Sequence, residues 1–302
     1  MEYDKPIIAG FGEILWDLLP SGKQLGGAPA NFTYHAGILG AEAYPVSTVG
    51  EDDNGREIIS VLNQQGISSE FISIDNIHPT GSVTVNLNAE GVPTYIIHEH
   101  VAWDHIPFKD HIFRLASRLD AVCYGSLAQR SEISRHSLHQ LLESLNPGCL
   151  RVFDINLRQH YYSWYIISET LHASDILKLN DGELTVLAEM MMLQGTEKEK
   201  LLQLMEKFSL RLIALTKGEK GSILISQNDF STLAAYPVKI ADTVGAGDAF
   251  TAAMTMGLLK NFPLKLIHVQ ANRLAGYVCS QAGAMPVIGD DILESIRSVS
   301  DS

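Results

Sequence analysis

The chain has 302 residues, of which 46% are hydrophobic and 19% charged, a balance typical of a globular protein with a substantial core. Its formal net charge of −13 argues against nucleic acid as a partner, because a phosphate backbone would be repelled. The N-terminus is polar, no apolar run is long enough to enter a membrane, and three scattered cysteines are typical of reduced thiols, so we expect a cytoplasmic protein.

The first elements are predicted to be a buried strand and two helices. Ile7–Ile14 is an apolar run broken by glycines, which indicates a strand that leads into a loop. A helix is expected after the glycine-rich stretch Gly26–Ala30, with Gly40 at its end. A second helix is predicted over Gly55–Gln65, ended by Gly66.

The next region differs from the rest of the chain because it alternates apolar and polar residues. Residues Ser82–Asn88 alternate, Glu90–Pro93 predicts a turn, and Thr94–Ile97 returns, which together indicate a hairpin with one wet face. We interpret it as part of a small β-sheet lid, built from segments at about 15–26 and 80–104.

Beyond the hairpin, short apolar strands alternate with helical patterns. This alternation predicts a predominantly parallel central sheet with helices on both faces. Residues 1–302 are therefore interpreted as one α/β domain with the lid inserted, and ligands are expected beyond the C-terminal strand ends. The predicted strands are Ala121–Tyr124, Arg151–Asn156, Asp175–Leu179 and Leu212–Thr216, and the predicted helices are Ser137–Leu145, Lys198–Phe208, Ala249–Leu259 and Leu264–Gln281.

The run Asp242-Thr-Val-Gly-Ala-Gly-Asp248 immediately precedes a helical pattern. Gly245 and Gly247 flank one small residue, so backbone N–H groups can point at an anion near a helix N-terminus. A carboxylate at this place suits a base that takes a proton from an attacking hydroxyl during phosphoryl transfer. Taken alone, however, Asp248 fits a helix cap equally well.

Two further segments extend this pattern. Gly26-Gly-Ala-Pro-Ala-Asn31 is followed by a helix and by Val49-Gly-Glu-Asp-Asp-Asn-Gly55. Together with the Asp242–Phe250 run, these segments closely resemble the two signatures of the ribokinase-like PfkB sugar kinases, and the similarity covers nearly the whole chain. The resemblance implies a ribokinase-like fold and ATP-dependent phosphorylation of a sugar hydroxyl.

The resemblance also implies a role for each matching position on the sugar side. Asp248 would be the catalytic base, and the amides of Gly245, Ala246 and Gly247 would hold the γ-phosphate. Carboxylate, amide and guanidinium groups suit sugar hydroxyls and phosphate oxygens. The positions implied to bind sugar are Asp17, Gly26, Gly27, Asn31, Arg158 and Asp248.

On the nucleotide side, the resemblance implies ATP, Mg²⁺ and, in many members, a monovalent cation such as K⁺. Asn180-Asp-Gly-Glu183 matches a motif associated with Mg²⁺ through water, although a helix cap explains the same residues. Asp242 and Thr243 match the cation position. The positions implied to bind nucleotide are Asn180, Thr216, Lys217, Gly218, Gly221, Gly245, Gly247 and Asn272.

The motifs favour fructose as acceptor, because Asp154-Ile-Asn-Leu-Arg158 resembles the Asp-Pro-Asn-Leu-Arg run of fructokinases. Ile155 departs from that run, so ribose, 2-keto-3-deoxygluconate and nucleosides stay open as acceptors. A homodimer through the lid is a further expectation.

Other classes of protein and site were weighed against a sugar kinase. A non-catalytic sugar-binding regulator on the same fold is one alternative. A nicotinamide-dependent enzyme would rest on Gly10-Phe-Gly12 alone, without the third glycine. His98-Glu-His100 offers two imidazoles but has no third metal ligand at a suggestive spacing, and Trp103 is expected to pack in the lid or stack on sugar.

Overall fold

The computed structural model of the protein describes residues 5–20, 22–87 and 93–297, and within them the chain forms thirteen strands and ten α-helices. The strands are β1 (Ile7–Phe11), β2 (Leu15–Leu19), β3 (Gly22–Gly26), β4 (Glu42–Gly50), β5 (Ile72–Asp75), β6 (Gly81–Leu87), β7 (Pro93–Ile97), β8 (Ala121–Tyr124), β9 (Leu150–Asp154), β10 (Ile176–Asn180), β11 (Leu212–Thr216), β12 (Ser222–Ser226) and β13 (Phe230–Leu233). The α-helices are α1 (Ala28–Ile38), α2 (Asp53–Gln64), α3 (Asp110–Ala116), α4 (Glu132–Glu143), α5 (Trp164–His172), α6 (Asp181–Met191), α7 (Glu197–Phe208), α8 (Ala246–Leu259), α9 (Leu264–Cys279) and α10 (Asp290–Arg297). Short 3₁₀ helices span Ala102–His105, Leu127–Arg130 and Gly218–Lys220.

Nine strands form the central sheet, in the order β13-β12-β11-β10-β9-β8-β1-β4-β5. The seven strands from β11 to β5 are parallel, and β12 and β13 add an antiparallel edge. The predicted α/β fold with a predominantly parallel sheet is therefore confirmed. A parallel sheet needs helical crossovers that cover both faces, and this explains why its strands are apolar throughout.

The two faces of the sheet are buried under different helices. Successive strand residues point to opposite faces, so Ile8 packs in one hydrophobic cluster and Ala9 in the other. The same division separates Val152 from Phe153 in β9. One cluster is covered by α1, α8, α9 and α10, and the other by α3 to α7. No helix in the described residues combines the length and hydrophobicity needed to span a bilayer.

Four strands form a second, smaller sheet in the order β3-β2-β6-β7. β2 pairs antiparallel with β3 and parallel with β6, and β6 and β7 form the hairpin predicted from alternating residues. The predicted turn at Glu90–Pro93 lies mostly outside the described residues. We call these four strands the lid. Trp103, near the end of the predicted lid segment, is fully buried in the main core, so its role is packing.

Predicted boundaries differ from the observed ones mainly at the polar ends. The apolar run from Ile7 to Ile14 ends as a strand at Phe11, and a positive φ of 145° at Gly12 turns the chain before β2. The helix predicted from Gly55 begins at Asp53, because the Asp52 side chain accepts a hydrogen bond from the Gly55 amide and caps α2.

Candidate active site

The N-termini of α1 and α8 meet beyond the C-terminal ends of the parallel strands. Asn31 in the first turns of α1 is buried, and its Nδ2 donates to Oδ2 of Asp248 at 2.7 Å. Asp248 lies in the first turn of α8. These two residues are 217 positions apart in sequence, so the fold brings together the two segments on which the resemblance depends.

The backbone at the start of α8 is shaped by close packing. Gly245 has a φ of 78°, and a Cβ there would lie 2.6 Å from Cα of Ala284. A residue with a side chain would therefore be both strained and obstructed. Ala246 N makes a long bond of 3.4 Å to Thr243 O, whereas the amides of Gly245, Gly247 and Asp248 have no hydrogen-bond partner within the described structure. These free N–H groups at a helix N-terminus form a suitable site for an anion.

The Asp248 carboxyl is a much weaker acid than an ordinary aspartate, because its pKa is raised. Burial and the nearby charge of Asp154 raise its pKa from 3.8 to about 7, although Lys178, the Asn31 hydrogen bond and Arg158 act in the opposite direction. A carboxyl with a pKa near neutral pH can accept a proton and release it again, which is what a general base requires.

A buried ion pair supports Asp248, and the sequence analysis missed it. Lys178 Nζ contacts Asp154 Oδ1 at 3.0 Å, and Thr251 Oγ1 donates to Asp154 Oδ2 at 2.9 Å. Burial lowers the pKa of Lys178, but the carboxylates of Asp154, Glu183 and Asp248 outweigh it, and the net pKa is raised. A lysine in the middle of an apolar strand was the available sequence signal, because an unpaired charge is rarely buried.

Asp17, Gly26 and Gly27, three of the predicted sugar-binding residues, lie where β2, β3 and α1 meet. Burial raises the pKa of Asp17 to about 6, partly offset by Arg158, which is exposed. Gly26 lies against Asp17, since a Cβ there would be 2.4 Å from Oδ2. Gly27 has a φ of 118°, and its added Cβ would meet the Glu13 carbonyl oxygen at 2.4 Å. The two glycines let the chain pass closely between β2 and α1.

Glu13 is a second acidic group that the sequence analysis did not single out. It is buried, and its Oε2 has no hydrogen-bond partner in the described residues. Burial raises its pKa, opposed by its own backbone hydrogen bond and by the charges of Arg158 and Arg130. The two arginines therefore lie close enough to influence the same pocket.

The loop after β9 connects Arg158 to the lid. Asn156 and Gln159 have φ values of 46° and 48°, which bend the chain sharply. Gln159 Nε2 donates to the Tyr95 carbonyl of β7 at 2.7 Å. The single hydroxyl hydrogen of Tyr161 is shared between the Glu99 carboxylate at 2.7 Å and the Ile97 carbonyl at 3.2 Å. A movement of the lid would thus be transmitted to this loop.

Two of the predicted nucleotide residues, Asn180 and Thr216, lie at the ends of neighbouring strands. Thr216, at the end of β11, pairs in register with Asn180 at the end of β10. The Lys217–Gly221 turn closes with a 2.8 Å bond from Lys217 N to Gly221 O, and positive φ values at Gly218 and Gly221 permit it. Lys217 Nζ pairs with Glu197 at 3.0 Å, and Asn272 Nδ2 donates to the Ala234 carbonyl at 2.7 Å.

The two predicted metal positions are both held by backbone hydrogen bonds. Asn180 and Glu183 form a capping box at the start of α6, and the Glu183 carboxylate accepts from the amides of Asn180 and Leu157 at 2.8 and 2.9 Å. Asp242 accepts from the amides of Val244 and Gly283, each at 3.1 Å, while Thr243 is exposed. Asn180 therefore caps α6, which was the alternative role expected for it from the sequence.

Comparison with known proteins bears on this geometry. The sequence of the family described as "pfkB family carbohydrate kinase" matches residues 21–289 of this chain. A Pyrococcus horikoshii protein that is named as a sugar kinase but is uncharacterized is 29% identical, with 92% of this chain and 91% of the relative covered. A fructokinase from Salmonella typhimurium is 29% identical, with 83% of each chain covered.

Solved structures have the same fold. The crystal structure of the Pyrococcus horikoshii sugar kinase in complex with ATP superimposes with a TM-score of 0.79 at 27% identity, covering 97% of this chain and all of that one. A fructokinase from Vibrio cholerae bound to fructose, ADP and potassium has a TM-score of 0.79 at 23% identity, covering 97% of this chain and 98% of that one, and supports the fold alone. The chain therefore belongs to the pfkB family of carbohydrate kinases and is a phosphotransferase that acts on sugars.

Proposed function

We propose that this sugar kinase transfers the γ-phosphoryl group of ATP to the 6-hydroxyl of fructose, with Asp248 as the base. One observation carries this proposal. The Asp248 carboxyl has its pKa raised to about 7 and lies in the first turn of α8, where the amides of Gly245, Gly247 and Asp248 lack a partner in the described structure. Phosphoryl transfer needs such a base next to donors for the transferred oxygens.

In the proposed mechanism, the sugar binds between the lid and the strand ends. Asp17 and Asn31 contact sugar hydroxyls, and Gly26 and Gly27 allow close approach of the chain. Asp248 accepts the proton of the attacking hydroxyl. The amides of Gly245–Gly247 and the Arg158 guanidinium stabilise the negative charge that develops on the transferred group.

The nucleotide is proposed to lie along the ends of β10 and β11. Thr216, the Lys217–Gly221 turn, Asn180 and Asn272 are the residues assigned to it. A Mg²⁺ ion would neutralise phosphate charge when bound. Glu183 fits an indirect role toward Mg²⁺, because both of its oxygens already accept backbone amides and a further contact would go through water.

A monovalent cation is proposed at Asp242 and Thr243, next to the start of α8. These residues offer the hard oxygen donors that K⁺ requires, and the Vibrio cholerae fructokinase was crystallised with potassium. The initial rate measured in K⁺ against that in tetramethylammonium at equal ionic strength tests this assignment, with activation by K⁺ expected.

Fructose is preferred over other acceptors because curated relatives at 25–29% identity include several fructokinases, and because Asp154–Arg158 matches the fructokinase run apart from Ile155. A coupled assay of ADP release should compare fructose, ribose, 2-keto-3-deoxygluconate and adenosine. The highest kcat/KM is expected with fructose, and NMR of the product should place phosphate on the 6-oxygen. A higher kcat/KM with another acceptor would refute fructose while leaving the kinase assignment intact.

The same assay distinguishes a kinase from a non-catalytic sugar-binding regulator. A regulator would bind sugar without any sugar-dependent release of ADP. We also propose a homodimer through the lid, supported by the exposed apolar side chains of Leu18 and Ile96, which lie on the same face of the lid on either side of Thr84. Light scattering coupled to size exclusion tests it, since Ile96→Lys should then convert dimer to monomer.

A further inference from the structure

A cluster of metal-ligating side chains lies at the base of the lid, separate from the candidate active site. Asp75, His78 and His105 each offer one ligand atom, and these atoms lie within 4.8 Å of one another. Asp75 ends β5, His78 stands three residues before β6, and His105 ends the 3₁₀ helix that follows β7. All three side chains are partly buried, which leaves them accessible to an ion from solvent.

The cluster is held by the backbone around it. Asp75 Oδ1 accepts from the amides of Ile77 and His78 at 2.7 and 3.1 Å, and this fixes the turn after β5. Its other oxygen contacts His78 Nδ1 at 2.8 Å. A hydrogen bond of 2.8 Å from the Ala102 amide to the Pro79 carbonyl brings the two segments together. The backbone that carries the three ligands is therefore held in place without a metal.

The imidazole rings of His78 and His105 lie unusually close. Their centroids are 3.6 Å apart, and the planes are inclined by only 9°. Within the described chain the His105 ring makes no hydrogen bond, and the nearby Asp104 carboxylate is already bound by Arg130 at 2.8 and 2.9 Å. Of the two imidazoles, only that of His78 makes a hydrogen bond, to Asp75. Each ring therefore has a nitrogen lone pair available for an ion.

The spacing and the donor types fit one class of metal. Ligands at about 2.0–2.1 Å from a tetrahedral ion are separated by ~3.3 Å. The three ligand atoms of the cluster already lie within 4.8 Å of one another, so the side chains need to move little in position to reach this separation. The parallel rings direct their lone pairs side by side, so the two imidazoles must rotate about their side-chain torsions and splay apart for both to bind one ion. Two imidazoles and one carboxylate suit Zn²⁺, whereas Mg²⁺ and Ca²⁺ prefer oxygen donors alone.

We propose that Asp75, His78 and His105 bind one Zn²⁺ ion, with water in the fourth position. Such an ion would join the segment that enters β6 to the segment that leaves β7. These are the two connections between the core and the hairpin of the lid. The site would therefore stabilise the base of the lid without contacting the reacting groups.

A competition titration on tag-free full-length protein tests the proposal. Zn²⁺ is titrated at pH 7.5, with excess MgCl₂ and no nucleotide, against a chromophoric chelator. We expect one Zn²⁺ per chain, and Co²⁺ substitution should give the visible absorption of a four-coordinate nitrogen and oxygen site. His78→Ala and His105→Ala should each weaken binding at least about tenfold.

His136→Ala is the matched control, because His136 is exposed on α4 and belongs to no potential metal cluster in the described residues. It should bind Zn²⁺ like the unaltered protein. Circular dichroism without metal verifies that each variant is folded. The proposal is overturned if the unaltered protein shows no saturable binding of one ion, or if the double variant His78→Ala/His105→Ala binds Zn²⁺ as tightly as His136→Ala does.

Discussion

Replacing Asp248 with asparagine should affect activity and stability in opposite directions. The asparagine amide cannot accept the hydroxyl proton, and a positioned general base contributes about 10²–10⁴-fold to a rate. We therefore expect kcat to fall by about that factor. The KM values for sugar and ATP should change only a few fold, because the amide has nearly the same shape and can still hydrogen bond to Asn31.

The stability effect follows from the pKa of Asp248. Below about pH 4 the carboxyl is protonated in both the folded and the unfolded chain. Between about pH 4 and pH 7 it is ionised only in the unfolded chain, so the folded protein loses stability as pH rises. The raised pKa corresponds to a cost of at most about 4 kcal/mol, reached near pH 7 and constant above it. Asp248→Asn should remove this cost.

The test combines a coupled kinase assay with urea unfolding at pH 5, 6, 7 and 8, all without nucleotide or sugar. Asp248→Asn should be the more stable protein, by a margin that widens from pH 5 to pH 7. Asp110→Asn is the control, because it removes an exposed carboxylate from the first turn of α3, and it should keep its kcat. Near-normal turnover in Asp248→Asn would refute the assignment of Asp248 as the base. If Asp248→Asn is less stable than the unaltered protein at pH 8, the buried carboxylate does not destabilise the folded chain as proposed.

Three further predictions concern the same site. The acid limb of kcat/KM should lie near pH 7. Asp154→Asn should move this limb to lower pH, because the negative charge of Asp154 raises the pKa of the base. A pH–rate profile whose acid limb does not move in the variant would contradict this. Gly27→Ala should lower the free energy of unfolding by more than Gly22→Ala does. Both glycines have a positive φ, but only at Gly27 would the added Cβ clash with a carbonyl oxygen, that of Glu13. Urea titration of both variants measures the difference. Tyr161→Phe should raise the sugar KM more than it lowers kcat, because it removes the hydrogen bonds from Oη to β7 and Glu99. Steady-state kinetics measure both constants. A change confined to kcat would argue against the coupling of this loop to the lid.

The fold was predictable because its periodicity is strong. Short apolar strands such as Ala121–Tyr124 and Leu212–Thr216 have the bounds expected from their hydrophobic runs. The antiparallel edge formed by β12 and β13 was not anticipated. Phe230–Leu233 alternates between exposed and partly buried residues, so its apolar signal is weak, and its place in the sheet depends on pairing with β12.

The candidate site was only partly predictable. Asp248 and Asn31 lie in glycine-rich motifs at the starts of helices, where glycines in the sequence indicate a backbone with positive φ. The Lys178–Asp154 ion pair depends on the register of β9 and β10, which no local pattern encodes. The same is true of Asp75, His78 and His105, because their proximity is set by the packing of a 3₁₀ helix against the segment before β6.

The buried charges around Asp248 connect stability with the proposed chemistry. With both carboxylates ionised, Asp154, Lys178 and Asp248 carry one net negative charge in a poorly solvated place. Proton uptake by Asp248 makes the group neutral, so the burial that destabilises the unligated protein also makes Asp248 a stronger base. A base with a pKa near 7 instead of 3.8 binds a proton about a thousandfold more tightly. Lys178 limits this effect and keeps a substantial fraction of the carboxyl ionised near neutral pH, where the base must be free to act.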